Sequence, residues 1–211
     1  MVCLSIKTFA QNKLFIGPIY QYGYSSFFGK SDMDMTSGQA APDFSLKSSF
    51  GTGIKIEHLL NEKWGWNTFL IWQQMGAKFD EATCDCPPHY RLNYADLWIG
   101  AKYNLNPGKK QSFYINAGVT SNLLLQAYRV NSYESVIISD DIKPFDFGTF
   151  AALGFAFKLW DKDILQASLF YTGGFRNLFS GILEMNSVYG KNMYTGIQFS
   201  YMIGITKKVT N

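Results

Sequence analysis

The chain has 211 residues, of which 47% are hydrophobic, 17% aromatic and 17% charged. This composition excludes a disordered chain and favours one folded domain, while the lack of any apolar run near the roughly 18 residues of a membrane-spanning helix excludes a helical membrane protein. The net charge of +3 comes without a basic stripe, which excludes a nucleic-acid partner.

The N-terminal segment, residues 1–11, has features of the end of a secretory signal peptide. Thr8 and Ala10 are the small residues expected at positions −3 and −1 of a cleavage site, and they follow a short apolar stretch. Because the apolar stretch is short and lacks a basic start, a first strand is the alternative. We predict a leader over 1–11, a barrel domain over 12–207 and a short tail over 208–211.

The rest of the chain alternates apolar with polar or small residues in long runs and has no sustained helical period. Near the C-terminus, for example, Phe199 and Ile203 fall on one face of a strand, while Gln198 and Ser200 fall on the other. The predicted fold class is therefore all-β, with eight strands. We place them at about 13–28, 48–60, 64–77, 90–105, 111–125, 145–160, 163–177 and 192–206.

The connections between the predicted strands alternate in length. Because antiparallel strands place every second connection at the same end, the short turns share one end and the long loops the other. This asymmetry is typical of outer-membrane barrels of Gram-negative bacteria, which have short periplasmic turns and long external loops. The short turns are at 61–63, 106–110 and 161–162, and the long loops are at about 29–47, 78–89, 126–144 and 178–191.

The two faces of the strands decide between a membrane barrel and a soluble, lipocalin-like binder of small molecules, which would turn its apolar face inward. The polar faces are rich in Gly, Ser, Thr, Asn and Gln and carry few charges, which suits a narrow lumen. The charges on this inward set are nearly balanced, so we predict a lumen charge network in which they pair. Its members are Lys55, Glu57, Asp96, Lys102, Asp146, Lys158 and Arg176.

Aromatic residues support the membrane interpretation. Trp64, Trp66, Tyr103 and Trp160 all lie beside short turns, where a periplasmic aromatic girdle is expected. An eight-stranded barrel is just wide enough to be filled by its own side chains. We therefore expect no continuous pore.

Residues 94–103 read Tyr-Ala-Asp-Leu-Trp-Ile-Gly-Ala-Lys-Tyr. This strand resembles a signature of the PorT-like outer-membrane β-barrel proteins, and the similarity continues through 113–118, 146–148 and 171–177 to cover roughly residues 48–206. The resemblance implies an eight-stranded outer-membrane barrel from a family whose namesake is required for a protein-secretion system. It favours a structural or accessory subunit whose partners are outer-membrane lipid and other envelope proteins.

An enzyme that hydrolyses or transfers acyl chains of lipopolysaccharide is the alternative function. It would need His58 or His89, the two histidines of the chain, together with a nucleophile and an orienting group. No spacing of Ser, Asp or Glu singles out such a group. We therefore predict no catalytic residues, no cofactor and no metal.

Cys84 and Cys86, followed by two prolines, are the most unusual local feature. The two thiols could form a small disulfide, bind a metal ion with Asp85 and His89, or stay reduced. Because the secreted compartment is oxidising, we predict a disulfide that closes the second long loop.

Overall fold

The structure, a computed structural model, describes residues 13–29, 44–79, 89–131, 134–159, 163–180 and 189–205. Within these ranges the chain forms eight long strands, three short strands and one turn of 3₁₀ helix at Ser139–Asp141. None of these residues lies in a helix that is long and apolar enough to cross a bilayer. The strands in chain order are β1 (Lys13–Phe28), β2 (Phe44–Ser45), β3 (Lys47–Leu59), β4 (Trp64–Met75), β5 (Lys78–Phe79), β6 (His89–Asn104), β7 (Gln111–Val130), β8 (Ser135–Ile137), β9 (Phe145–Lys158), β10 (Asp163–Gly174) and β11 (Lys191–Ile205).

The eight long strands close into a barrel. Each pairs antiparallel with the next long strand along the chain, and β11 pairs with β1 to complete the ring. The predicted all-β, eight-stranded, up-and-down barrel is confirmed. Every long strand begins within one residue of the predicted position, because an apolar outer face and a polar inner face give each strand the period of two.

The largest difference from the prediction is at β7, which we expected to end at residue 125 and which continues to Val130. Beyond the barrel rim it pairs with β8 as a hairpin, in which Tyr128 lies opposite Ile137 and Val130 opposite Ser135. The start of the predicted third long loop is therefore a regular strand. Its hydrogen-bond partners come from within the loop and from the long strand β6.

The strands are strongly staggered. Starting at Leu14 and following paired residues once around the ring, the path returns to β1 at Tyr24, ten residues further along. A stagger of this kind tilts the strands by roughly 35–45° to the barrel axis and leaves an interior that side chains fill.

The short turns are fixed by asparagine side chains at one end of the barrel. Asn61 Oδ1 accepts the N–H groups of Lys63 and Trp64 at 2.9 and 2.8 Å, and Asn106 Oδ1 accepts that of Phe113 at 2.7 Å. Gly108 takes a positive φ of 80° in the second turn, a conformation that favours glycine. The third predicted turn, 161–162, lies outside the described residues. So do 1–11 and 206–211, and the predicted domain boundaries remain predictions.

Closure of the barrel has a direct biochemical consequence. Because all eight long strands are paired on both sides, no edge is available for detergent to open. We expect the protein to migrate on a detergent gel as a compact band when unboiled and as a distinct band when boiled. Removing β11, which would expose edges on β1 and β10, should abolish the compact band. Identical mobility of the intact protein with and without boiling would contradict closure.

Candidate functional site

The barrel wall is apolar outside and polar inside. Phe199 is 50% exposed on the outer face, whereas its neighbour Gln198 is 3% exposed and faces the lumen. Every long strand carries a large apolar residue at least 40% exposed near its middle, which forms a continuous belt. A soluble binder would show the opposite arrangement, so the surface excludes the lipocalin-like alternative. The belt includes Tyr20, Ile54, Leu70, Ile99, Val119, Leu153, Leu169 and Ile197.

Aromatic side chains gather on the outer wall beside the short turns. Trp64 and Trp66 are 50% and 52% exposed, and the Trp64 ring packs on Tyr103 with centroids 4.7 Å apart. The Trp66 Nε1 donates to His58 Nδ1 at 2.8 Å. These residues occupy the position expected for a periplasmic girdle, while Trp160 lies outside the described residues.

Three of the seven predicted lumen charges form an ion-paired cluster in the lower lumen, near the short turns. Glu57 Oε1 lies 2.6 Å from Lys102 Nζ, and Glu57 Oε2 lies 3.4 Å from Lys55 Nζ. Gln166 bridges the cluster, since its Nε2 donates to Glu57 Oε2 at 3.0 Å and its Oε1 accepts from Lys55 at 2.5 Å. All four side chains are buried, and Lys102 also lies over the Tyr114 ring at 4.4 Å. The Glu57 carboxylate therefore forms ion pairs with two buried ammonium groups.

A layer of aromatic rings crosses the lumen beyond this cluster. Trp98 stacks on Phe150 with centroids 5.1 Å apart, and Phe69 and Phe170 pack against them. Along β6 the inward order is Lys102, Trp98, then Asp96 towards the external end. The ring layer therefore separates the ion cluster from the polar groups of the upper lumen.

Asp96 and Asp146 lie in the upper lumen and are buried. Asn192 Nδ2 donates to Asp146 Oδ2 at 3.0 Å and to the Tyr94 hydroxyl at 3.2 Å. Asp96 lies on β6, directly opposite Asn122 of β7, which in turn lies opposite Asp146 of β9.

The remaining two predicted members of the network, Lys158 and Arg176, are exposed at opposite ends of the barrel. Lys158 is the last residue of β9 and lies at the mouth beside the short turns. Arg176 lies two residues beyond β10, and its Nη1 donates to the Phe145 carbonyl oxygen at 3.4 Å. The structure does not bring the seven charges into one network, because the ring layer separates Asp96 and Asp146 from the lower cluster and because Lys158 and Arg176, at strand ends, reach water.

The mouth at the short-turn end opens into a cavity of about 510 Å³. Its walls combine apolar side chains with a rim of lysines that includes Lys13, Lys110 and Lys158. The cavity reaches Glu57 and Lys102 at its inner end.

Four aromatic rings pack together at the external mouth and form a cap that the sequence did not predict. The rings of Phe27, Phe44, Tyr90 and Phe179 pack with centroid distances of 5.2 to 6.5 Å. Phe27 and Tyr90 occupy inward-facing positions of β1 and β6, which is the signal that could have identified them. Phe44 comes from β2 and Phe179 from the segment after β10, so the meeting of the four rings depends on tertiary structure.

The two histidines lie at opposite ends of the barrel. His58 is near the short-turn end on the outer wall, whereas His89 begins β6 at the external end and lies opposite Val130. Cys84, Asp85 and Cys86 lie outside the described residues, so the disulfide remains a prediction. Among the described residues, no three His, Cys, Asp or Glu side chains are grouped to hold a metal ion.

Comparison with known proteins supports the fold. No family model and no curated protein matches the chain. The crystal structure of neisserial surface protein A aligns with 9% identity and a TM-score of 0.50, covering 90% of this chain and 96% of that one. OprG of Pseudomonas aeruginosa aligns with 15% identity and a TM-score of 0.48, covering 91% and 93%.

The similarity to neisserial surface protein A shows a shared small-barrel fold. The apolar belt on this fold requires a bilayer around it, and bacterial membrane barrels of this kind lie in the outer membrane. The protein is an integral outer-membrane β-barrel. The comparisons do not confirm the resemblance to the PorT-like proteins.

Proposed function

We propose that the protein is a non-enzymatic structural or accessory subunit of an envelope or protein-secretion complex, as the PorT-like resemblance implies. The observation that carries this proposal is the construction of the external end. There the aromatic cap packs in the mouth, and the β7–β8 hairpin extends beyond the rim and is held by hydrogen bonds to neighbouring segments.

Hydrogen bonds join the hairpin to the segment after β10. Ser139 Oγ accepts the Ala127 N–H at 3.1 Å, which ties the 3₁₀ turn to β7. Ser180 then donates from its backbone N–H to the Asp141 carbonyl at 2.8 Å and from its Oγ to the Asp140 carbonyl at 3.1 Å. Two chain segments that follow different barrel strands are thereby held together, which suits a surface that must keep its shape for a partner.

The hairpin exposes groups that a protein partner can use. Val136 and Ile137 of β8 are 44% and 62% exposed, and β8 is the last strand of its sheet, paired with β7. An edge strand with exposed apolar side chains can accept an added strand from another protein. Envelope proteins are therefore the expected partners, together with the surrounding lipid.

The positions of the histidines support a non-enzymatic role. The His58 Nδ1 accepts a hydrogen bond from Trp66 on the lipid-facing wall, at the end of the barrel opposite His89. A histidine-dependent acyl hydrolase needs its base within hydrogen-bond reach of a nucleophile and an orienting group. The hydrogen bond to Trp66 instead suits a residue of the aromatic girdle.

A pair of variants tests the proposal. In a strain that lacks the gene, a variant with the hairpin shortened between the paired residues Tyr128 and Ile137 should fail to restore the wild-type phenotype and should no longer co-purify with partners. The compact unboiled band shows that its barrel still forms. Replacing both histidines, His58→Ala with His89→Ala, should leave rescue intact and lipid A unchanged. Losing a general base lowers an enzyme's rate by about 10² to 10⁴. A double histidine variant that fails to rescue and leaves lipid A without the modification seen in the wild type, together with a harmless hairpin deletion, would therefore identify the enzyme instead.

A further inference from the structure

Three oxygen-bearing side chains form a row across three neighbouring strands of the upper lumen. Asp96 of β6 pairs with Asn122 of β7, and Asn122 pairs with Asp146 of β9. All three point into the barrel and are 3%, 6% and 0% exposed, respectively. Because directly opposed residues have Cα atoms roughly 4.5 to 5.5 Å apart, the register brings two carboxylates and one carboxamide side by side.

The oxygens of this row lack partners. Within the part of the chain that the structure describes, Asp96 Oδ1 and Oδ2, Asn122 Oδ1 and Asp146 Oδ1 accept no hydrogen bond. The Trp98 indole N–H lies near the Asp96 carboxylate but outside hydrogen-bond geometry. Asn122 is an independent sign of a ligand, because it lies between Asp96 and Asp146 in the strand register, is buried, and has an amide oxygen that is itself unpartnered.

Among the described residues, no basic side chain forms an ion pair with Asp96. Lys55 and Lys102 lie on the other side of the ring layer, where both pair with Glu57. Arg176 attracts Asp146 but is exposed and donates to the Phe145 carbonyl. A carboxylate buried without a counter-charge is strongly unfavourable, so a cation from solution would stabilise this arrangement.

The chemistry of the donors indicates which cation would bind. Four oxygens and two negative charges, with no nitrogen or sulfur donor, favour a hard divalent ion. Calcium accepts an irregular set of oxygen ligands and completes its shell with water, whereas magnesium demands near-ideal octahedral geometry. Gly174 leaves room for the site, because a Cβ atom there would lie 2.5 Å from Asp146 Oδ2.

We propose that Asp96, Asn122 and Asp146 bind a hard divalent cation of the calcium type in the upper lumen. The ion joins β6, β7 and β9 beneath the aromatic cap and supplies the charge that Asp96 lacks. This site is independent of the proposed role as an accessory subunit, and the spacing of its ligands along the chain gives no motif because they lie on three different strands.

Calorimetric titration of calcium chloride alone into the EDTA-treated barrel in detergent tests the site. We expect one calcium ion to bind per barrel, and thermal unfolding to shift upwards when calcium is added. Asp96→Asn, Asp146→Asn and Asn122→Ala should each weaken binding by roughly tenfold or more. Magnesium chloride in a parallel titration should bind more weakly.

The matched control is Asp140→Asn, which removes an exposed carboxylate at the same end of the barrel and should leave calcium binding unchanged. The compact unboiled band establishes that each variant is folded. Should the Asp96 variant fail to fold, the Asn122 variant and the stoichiometry of the wild-type barrel decide the matter. A wild-type barrel that binds no calcium, or folded Asp96 and Asn122 variants that bind it as before, would overturn the site, and tighter binding of magnesium would overturn its calcium type.

Discussion

Replacing Glu57 with glutamine is expected to destabilise the barrel by about 3 to 5 kcal/mol, the cost of removing one partner from a buried ion pair. Glu57 is buried between Lys55 and Lys102, and its two oxygens face their ammonium groups at 3.4 and 2.6 Å. Glutamine keeps the size of the side chain, so the loss reports on charge. Urea unfolding in lipid vesicles, followed by tryptophan fluorescence, measures the change in unfolding free energy.

Two controls isolate the charge effect. Glu62→Gln changes an exposed carboxylate in the adjacent turn and should alter stability by less than about 0.5 kcal/mol. Replacing the whole cluster with Lys55→Met, Glu57→Leu and Lys102→Met removes all three charges together and should recover most of the lost stability. A Glu57 variant no less stable than the Glu62 variant would show that the cluster does not hold the lumen together.

Introducing arginine at Phe199 should cost about 2 to 4 kcal/mol, as expected for a charge facing lipid near the bilayer midplane. Phe199 lies in the middle of β11 on the outer wall. Ile205→Arg is the matched control, because Ile205 faces the same way at the end of the strand, where the cost falls to about 0 to 1 kcal/mol. The folding equilibrium in vesicles gives both values.

The neighbouring position tests the direction of the side chains. Gln198 faces the lumen, where its Oε1 accepts from Gln21 Nε2 at 3.3 Å. A series of small polar replacements should therefore be tolerated at 198 and penalised at 199. Equal tolerance at the two positions would contradict a wall of lipid-facing and lumen-facing residues.

Strand positions could be predicted from the sequence because each strand separates lipid from lumen, which gives the same two-residue period in all eight. A one-residue shift would turn Phe199 into the lumen, so the register is strongly specified. The extension of β7 was not predictable in this way. Beyond residue 125 the strand pairs with β6 on one side and, from Tyr128 onwards, with β8 on the other, and the alternation that lipid imposes ends there.

The lumen charges show where prediction from sequence stops. Strand parity identified Glu57 and Lys102 as inward-facing, but the stagger of the barrel decides that they meet. The same stagger places Asp96 opposite Asn122, a pair with no fixed spacing along the chain. Lys158 and Arg176 also fall on the lumen-facing side of the two-residue alternation, but the alternation does not reveal that side chains at a strand end reach water.

The unequal mouths give the lumen a direction. The cavity beside the short turns ends at the buried side chains of Glu57 and Lys102, whereas the ring layer and the aromatic cap occupy the lumen towards the external side. The cavity of the lumen therefore opens at the periplasmic end, where lysines line its rim. The external end is instead packed with aromatic rings, so the two sides of the membrane meet chemically different surfaces of the same short chain.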